Sequence, residues 1–236
     1  MSSQGLLNQW WRVGGALGIA FAILFIIGAI ILQGEPPMRD DSIQEIRKYF
    51  QDDGQKYLVG DYLTGIAFVL LFLPYVVTLR WVLGSGEGWP PIWSWLTVIG
   101  GVAMVALGGA GSMAFGTLAI SADNTQIDDS SVRLLMELNT YAFNLFSFGM
   151  ALFVASASLV ILRTGVLWRW LAVPGLLAAI LLIIGAAWPI DGDEQGAVAI
   201  PGFVGALLTM LFVILSSVRM IMMKEEPAPT ERGAAI

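Results

Sequence analysis

Residues 13–32 read VGGALGIAFAILFIIGAIIL, a run of 20 positions without a charged, amide or hydroxyl side chain. A helix needs about 20 such residues to cross a hydrocarbon layer of about 30 Å. Comparable apolar runs follow along the chain, so we expect six transmembrane spans: 13–32, 58–83, 93–120, 140–162, 168–188 and 198–222. The sequence therefore predicts an all-α fold, a polytopic membrane helix bundle.

The composition of the whole chain favours the same class. Hydrophobic residues make up 57% of the 236 positions and charged residues 13%, whereas soluble domains carry about 25% charged residues. The nine tryptophans lie at or near the ends of the six expected spans, where amphipathic rings collect at the headgroup level. We expect a single transmembrane domain, 1–224, and a disordered cytoplasmic tail, 225–236.

The residues that the chain lacks exclude several functions. There is no cysteine and no histidine, which removes thiol chemistry, the commonest metal ligand and the usual general base near pH 7. The 18 acidic residues outnumber the 12 basic ones, so the chain offers no surface for nucleic acid. We therefore expect no cofactor, no metal, no nucleic-acid partner and no enzymatic activity.

Basic residues indicate how the bundle is oriented. With a cytoplasmic N-terminus, the inner side carries Arg12, Arg80, Arg163, Arg169, Arg219, Lys224 and Arg232. The outer side carries only Arg133 once the long first loop, 33–57, is set aside. Because Lys and Arg are enriched in cytoplasmic loops, we expect both termini in the cytoplasm and the bundle in the plasma (inner) membrane.

The loop between the first two spans has the pattern of a helix. Ser42 and Glu45 have capping-box spacing, and Ile43, Ile46 and Phe50 then fall on one helical face. This pattern predicts a short extracytoplasmic amphipathic helix from about residue 42 to 51, ending near the Asp-Gly pair at 53–54. It would serve as a lid on the bundle, with a partner-binding element as the alternative.

Small residues recur at packing distance on two spans. Gly14, Gly18 and Ala22 share a face of the first span, and Gly108, Ser112 and Gly116 share one on the third. In lipid, helices associate through close van der Waals contact, which small residues allow. We expect packing within the chain at these faces, with a dimer interface as the alternative.

Polar residues near the outer ends of two spans form the candidate site. Glu137, Thr140 and Asn144 lie on one stripe at the start of the fourth span, and Asp61 and Thr64 lie one turn apart in the second. Together they predict an outward-facing polar pocket for a cation or a hydrogen-bond donor. In the alternative, the acids only stabilise helix starts, and Glu137 pairs with Arg133 at i−4.

Two short stretches resemble a known group of proteins. They are Arg-Thr-Gly-Val-Leu-Trp-Arg-Trp-Leu at 163–171, and Tyr49-Phe50 followed by Gly-Asp-Tyr-Leu at 60–63. Both are similar to small six-helix bacterial membrane proteins, frequent in actinobacteria, whose function is unknown. The resemblance implies the six-helix architecture and assigns no catalytic residue.

Three classes of function are weighed on this basis. The middle of every expected span lacks charged residues, whereas coupled ion transport usually needs them. This favours a non-catalytic protein that binds a lipid or a small apolar molecule, or that joins a membrane-protein partner or homo-oligomer. A small transporter or channel with an outward vestibule is the alternative, and an intramembrane enzyme is the least favoured.

Overall fold

In a computed structural model, residues 3–121, 127–188 and 199–223 are described, and they form six helices without a strand. Helix α1 covers Ser3–Phe25 and continues as a π-helical segment, Ile26–Leu32. The others are α2 (Ile43–Glu87), α3 (Ile92–Ile120), α4 (Asp129–Thr164), α5 (Arg169–Gly185) and α6 (Ala199–Met222). The all-α prediction is confirmed. The expected tail, 225–236, lies outside the described residues.

Five of these helices are long and apolar enough to cross a membrane: α1, α2, α3, α4 and α6. Helix α5 is apolar but shorter than the expected span 168–188, with 17 residues or about 25 Å at the α-helical rise of 1.5 Å per residue. Helix α4 begins at Asp129, well before the expected start at 140, because Asp128 caps its first turn. The chain is a membrane protein built as a helical bundle.

The helices pack as a closed ring. Going around it, α1 contacts α2, α2 contacts α3, α3 contacts α4, α4 contacts α5, α5 contacts α6, and α6 returns to α1. Helix α4 also contacts the C-terminal part of α2, Leu73–Glu87, and α6. These contacts across the ring fill its centre.

Helix α2 corrects one sequence prediction. It begins as expected, because Glu45 N–H donates to the Ser42 hydroxyl (3.2 Å) and Ser42 N–H donates to the Glu45 carboxylate (3.0 Å). It does not end near residue 54 but continues to Glu87, with a π-helical segment at Ala67–Phe72, so the short separate helix is wrong. Gly54 is buried against α3, where a Cβ would meet the Ala119 carbonyl oxygen at 3.4 Å. The glycine permits a close helix contact there and does not terminate the helix.

The N-terminal part of α2 builds a small hydrophobic core at the end of the bundle where this helix begins. This outer core consists of Ile46, Phe50, Tyr57, Phe115, Leu118, Val132 and Met136. Arg47 of α2 links this core to the start of α4. It donates a hydrogen bond to the Ile127 carbonyl (2.6 Å) and forms an ion pair with Asp129 (3.0 Å). Of the predicted apolar face, Ile46 and Phe50 are buried and Ile43 packs against them partly buried, so its inward direction is confirmed.

Aromatic side chains fill the middle of the bundle. Phe72 packs on Phe153 with ring centroids 5.4 Å apart, and Phe153 packs on Phe212 at 6.3 Å. The buried Tyr75 hydroxyl hydrogen-bonds to Ser216 at 2.6 Å. This hydroxyl therefore finds its partner on a neighbouring helix, as burial away from water favours.

Glycines on α1 serve packing within the chain, as predicted. A Cβ at Gly14 would lie 2.3 Å from Thr78, and one at Gly18 would lie 2.7 Å from Tyr75, both on α2. The π-helical segment Ala67–Phe72, which ends two residues before Pro74, interrupts α2. A π turn is a common way to accommodate a proline that cannot donate its backbone hydrogen bond.

Candidate functional site

The structure places Thr64 and Asp61 on different faces of α2. Thr64 is buried, donates to the Gly60 carbonyl (2.8 Å), and faces α1, where a Cβ on Gly28 would lie 2.7 Å from its hydroxyl. Asp61 is half-buried and lies close to Ser112 on α3. The two residues therefore contribute to two separate helix interfaces.

The other three predicted residues lie on α4. Glu137, Thr140 and Asn144 are half-buried, and the Asn144 side-chain oxygen is buried without a hydrogen-bond partner among the described residues. Arg133 does not pair with Glu137, so the expected i−4 ion pair is wrong. Its guanidinium instead donates to the carbonyls of Arg39 and Asp41 in the first loop, which offer neutral acceptors at the outer surface.

The contacts of the described residues do not join these five residues into one site. Asp61 faces α3, and Thr64 faces α1. The three residues on α4 lie on the same helix face as Arg133, whose guanidinium reaches the first loop. The shared pocket therefore stays a prediction. The sequence could place Asp61 and Glu137 at a similar depth, with Asn144 two turns deeper, but it could not tell which neighbour each helix face meets.

An open cavity of about 300 Å³ lies at the start of α2, where Glu35, Asp41 and Glu45 contribute to its lining. Two of these carboxylates already have partners, since Asp41 accepts from Met38 N–H at 2.8 Å and Glu45 caps Ser42. In the part of the chain that the structure describes, no group of three or more acidic residues could hold a metal ion. Two of the three carboxylates that line the cavity are therefore used to hold the local backbone at the start of α2.

The opposite end of the bundle carries a different arrangement, which we call the arginine belt: Arg80, Arg163 and Arg219. Each guanidinium carbon lies against an indole ring. Arg163 is 5.4 Å from the Trp93 centroid, and Arg219 is 5.7 Å from that of Trp168. Arg80 contacts two rings, those of Trp81 at 4.9 Å and Trp95 at 4.4 Å. All these distances lie within the range of cation–π attraction.

The arginine belt has no carboxylate partner among the described residues, whose ion pairs join Arg39 to Asp40, Arg47 to Asp129 and Lys56 to Asp53. Glu87 is the acid nearest to Arg80 in sequence. It is occupied at the start of α3, where it accepts hydrogen bonds from Trp93 N–H (2.7 Å) and Ser94 N–H (2.9 Å). The belt therefore keeps its positive charge at one end of the bundle.

Two side-chain nitrogens of the arginine belt also have no hydrogen-bond acceptor in the described part of the chain. The Nε atoms of Arg80 and Arg219 are buried without an acceptor among the described residues. A guanidinium held against an indole face still presents its edge, and that edge matches the two oxygens of a phosphate or carboxylate. The belt is thus suited to bind an oxyanion at the depth where the tryptophans lie.

Sequence reasoning used these arginines and tryptophans only as markers of topology. The neighbours Arg80 and Trp81 could have suggested a local contact, since they are adjacent in the chain. The contacts of Arg80 with Trp95 and of Arg219 with Trp168 cross between helices. They follow only from the order of helices around the ring.

Comparisons with known proteins add nothing to this geometry: no protein-family model, no curated protein and no solved structure matches the chain.

Proposed function

We propose that the chain is a non-catalytic protein of the plasma (inner) membrane, with both termini in the cytoplasm, that binds anionic lipid through the arginine belt. One observation carries this proposal. The three arginines lie against tryptophan rings at one end of the bundle and have no carboxylate partner among the described residues. Anionic lipids are the abundant oxyanions at the tryptophan level of a membrane.

The contrast between the two ends supports the orientation. On the outer side, Arg47 is bound to Asp129 and Arg133 to backbone carbonyls. On the inner side, the arginine belt is left for an external partner. The cytoplasmic leaflet has a negative surface potential, which attracts basic residues by about 1 kcal/mol each.

The alternative is a small transporter with an outward vestibule. It is favoured by the buried Asn144 oxygen, which has no partner among the described residues. Against it, the centre of the bundle is packed with aromatic rings, and the Tyr75 hydroxyl is engaged by Ser216. An enzyme is less favoured still, because Asp61 and the neighbouring Ser112 have no histidine to complete a nucleophilic set.

Analysis of the lipids that copurify with the full chain tests the proposal. The protein is extracted in a mild detergent, and its bound lipids are identified by mass spectrometry and compared with those of the source membrane. We expect enrichment of anionic phospholipids, and less of it in Arg163→Gln and Arg219→Gln. Arg12→Gln, which changes an exposed arginine outside the belt, is the matched control. Bound lipids with the same headgroup ratio as the source membrane would contradict lipid selectivity.

A further inference from the structure

The geometry at the inner ends of α2 and α3 points to one defined site: Arg80, held by Trp81 and Trp95, binds the phosphate group of an anionic phospholipid. This inference rests on the proposed function for the orientation of the bundle. It goes beyond that function by assigning the phosphate group to Arg80, at the adjoining ends of α2 and α3. We call Arg80, Trp81 and Trp95 the inner clamp.

Two helices fix the cation of the inner clamp. The guanidinium lies against Trp81 of its own helix at 4.9 Å and against Trp95 of α3 at 4.4 Å. Arg163 and Arg219 each contact a single ring. A long side chain held from two sides loses less rotational freedom when it binds a ligand, so Arg80 is the best prepared of the three.

The binding edge of Arg80 is free of competitors in the described structure. Its Nε is buried without an acceptor, and no described residue forms an ion pair with its guanidinium, so the Nη atoms are the donors left for a ligand. The nearby carboxylate of Glu87 is held by two backbone N–H groups of α3. A phosphate arriving from outside the protein therefore meets an unneutralised cation that presents two parallel N–H donors.

The surroundings of the inner clamp favour a lipid over a soluble phosphate. Trp81 and Trp95 are 60% and 52% exposed, so the clamp opens on the outer wall of the ring. One helical turn deeper into the membrane, Val77 and Ile99 are also exposed. An acyl chain attached to the bound phosphate would lie along this apolar wall, which gives a lipid contacts that a free anion cannot make.

Native mass spectrometry of the purified full chain, titrated with phosphatidylglycerol or phosphatidylcholine, tests the inference. Arg80→Gln should weaken phosphatidylglycerol binding about tenfold, because both the charge and the forked donor are lost. Arg80→Lys should weaken it by about threefold, since the charge stays but the planar edge is lost. Trp95→Leu should also weaken binding, whereas Arg12→Gln and Trp10→Leu, exposed residues at the same end, should leave it within about twofold.

The possible results separate binding of lipid phosphate at Arg80 from its alternatives. Equal losses in Arg80→Gln and Arg12→Gln would overturn the site, because charge alone would then explain binding. Losses in Arg163→Gln and Arg219→Gln without a loss in Arg80→Gln would overturn the inner clamp and leave the proposed function standing. If inorganic phosphate displaces phosphatidylglycerol at a similar concentration, the site binds free phosphate and the lipid assignment is wrong. Absence of displacement, with the Arg80 and Trp95 effects present, supports the lipid.

Discussion

Single glycines set how closely α3 and α4 approach. A Cβ on Gly100 would lie 2.4 Å from the Phe153 backbone nitrogen, and one on Gly149 would lie 2.6 Å from that of Met104. The two backbones therefore touch at both places, with no flexible side chain between them that could move aside. The small-residue pattern predicts this kind of contact. It does not predict which glycines meet backbone, because that depends on the register between the helices.

Gly149→Val should destabilise the bundle by about 1–3 kcal/mol, since added atoms must push two packed backbones apart. Gly109→Val is the matched control, because a Cβ at Gly109 meets nothing within 4 Å. Thermal unfolding of both variants in the same detergent measures the difference. Equal melting temperatures for the two variants would show that α3 and α4 do not pack at this distance.

Asp128, which caps α4 outside the apolar spans, gives a prediction about pH. Hydrogen bonds from Ser130 and then Ser131 lower the pKa of Asp128 from 3.8 to about 2. A lowered folded-state pKa means that the cap stabilises the helix above the unfolded pKa and loses this effect as the pH falls toward 2. Ser130→Ala should raise the pKa of Asp128 toward 3.8, as followed by NMR titration of its carboxyl carbon. An unchanged midpoint would show that the Ser130 contact is not formed in solution.

At the scale of elements, α2 shows what a local pattern can and cannot establish. The capping box at Ser42 is a short-range signal, and the structure confirms it. The end near residue 54 was inferred from an Asp-Gly pair, which often marks a helix terminus. Here Gly54 packs on Ala119 of α3, so the tertiary contact overrides the local preference. The sequence of α2 alone cannot predict that Gly54 packs against a residue of α3.

Ile46→Glu should loosen the outer side of α2 without unfolding the membrane bundle. Ile46 is fully buried in the outer core, so a carboxylate there would lose its hydration or expel its neighbours. Hydrogen exchange should become faster in residues 43–57 and stay slow in α6. Gln44→Glu, an exposed position on the same turn, is the control. Faster exchange throughout the bundle would show that the outer core is not a separate cooperative unit.

At the scale of the whole molecule, the low share of charged residues predicts a surface that faces lipid, and apolar runs of about 20 residues predict that helices form it. The candidate pocket was harder to predict. Asp61 and Glu137 could be assigned similar depths from helix geometry, but their directions depend on the order of helices in the ring. The resemblance to actinobacterial six-helix proteins also stays a prediction, since no comparison tests it.

The orientation of the bundle decides whether the arginine belt meets the cytoplasmic leaflet, and labelling can measure it. The chain has no native cysteine, so Ser130→Cys and Ser85→Cys each introduce a single exposed thiol, at opposite ends of the described structure. In intact cells, a membrane-impermeant maleimide should label position 130 and spare position 85, and both should react after the membrane is broken. The expectation follows from the positive-inside rule and from the outer arginines, which already have partners. Labelling at 85 alone would invert the topology, place the arginine belt on the outer face, and remove the reason for binding cytoplasmic lipid.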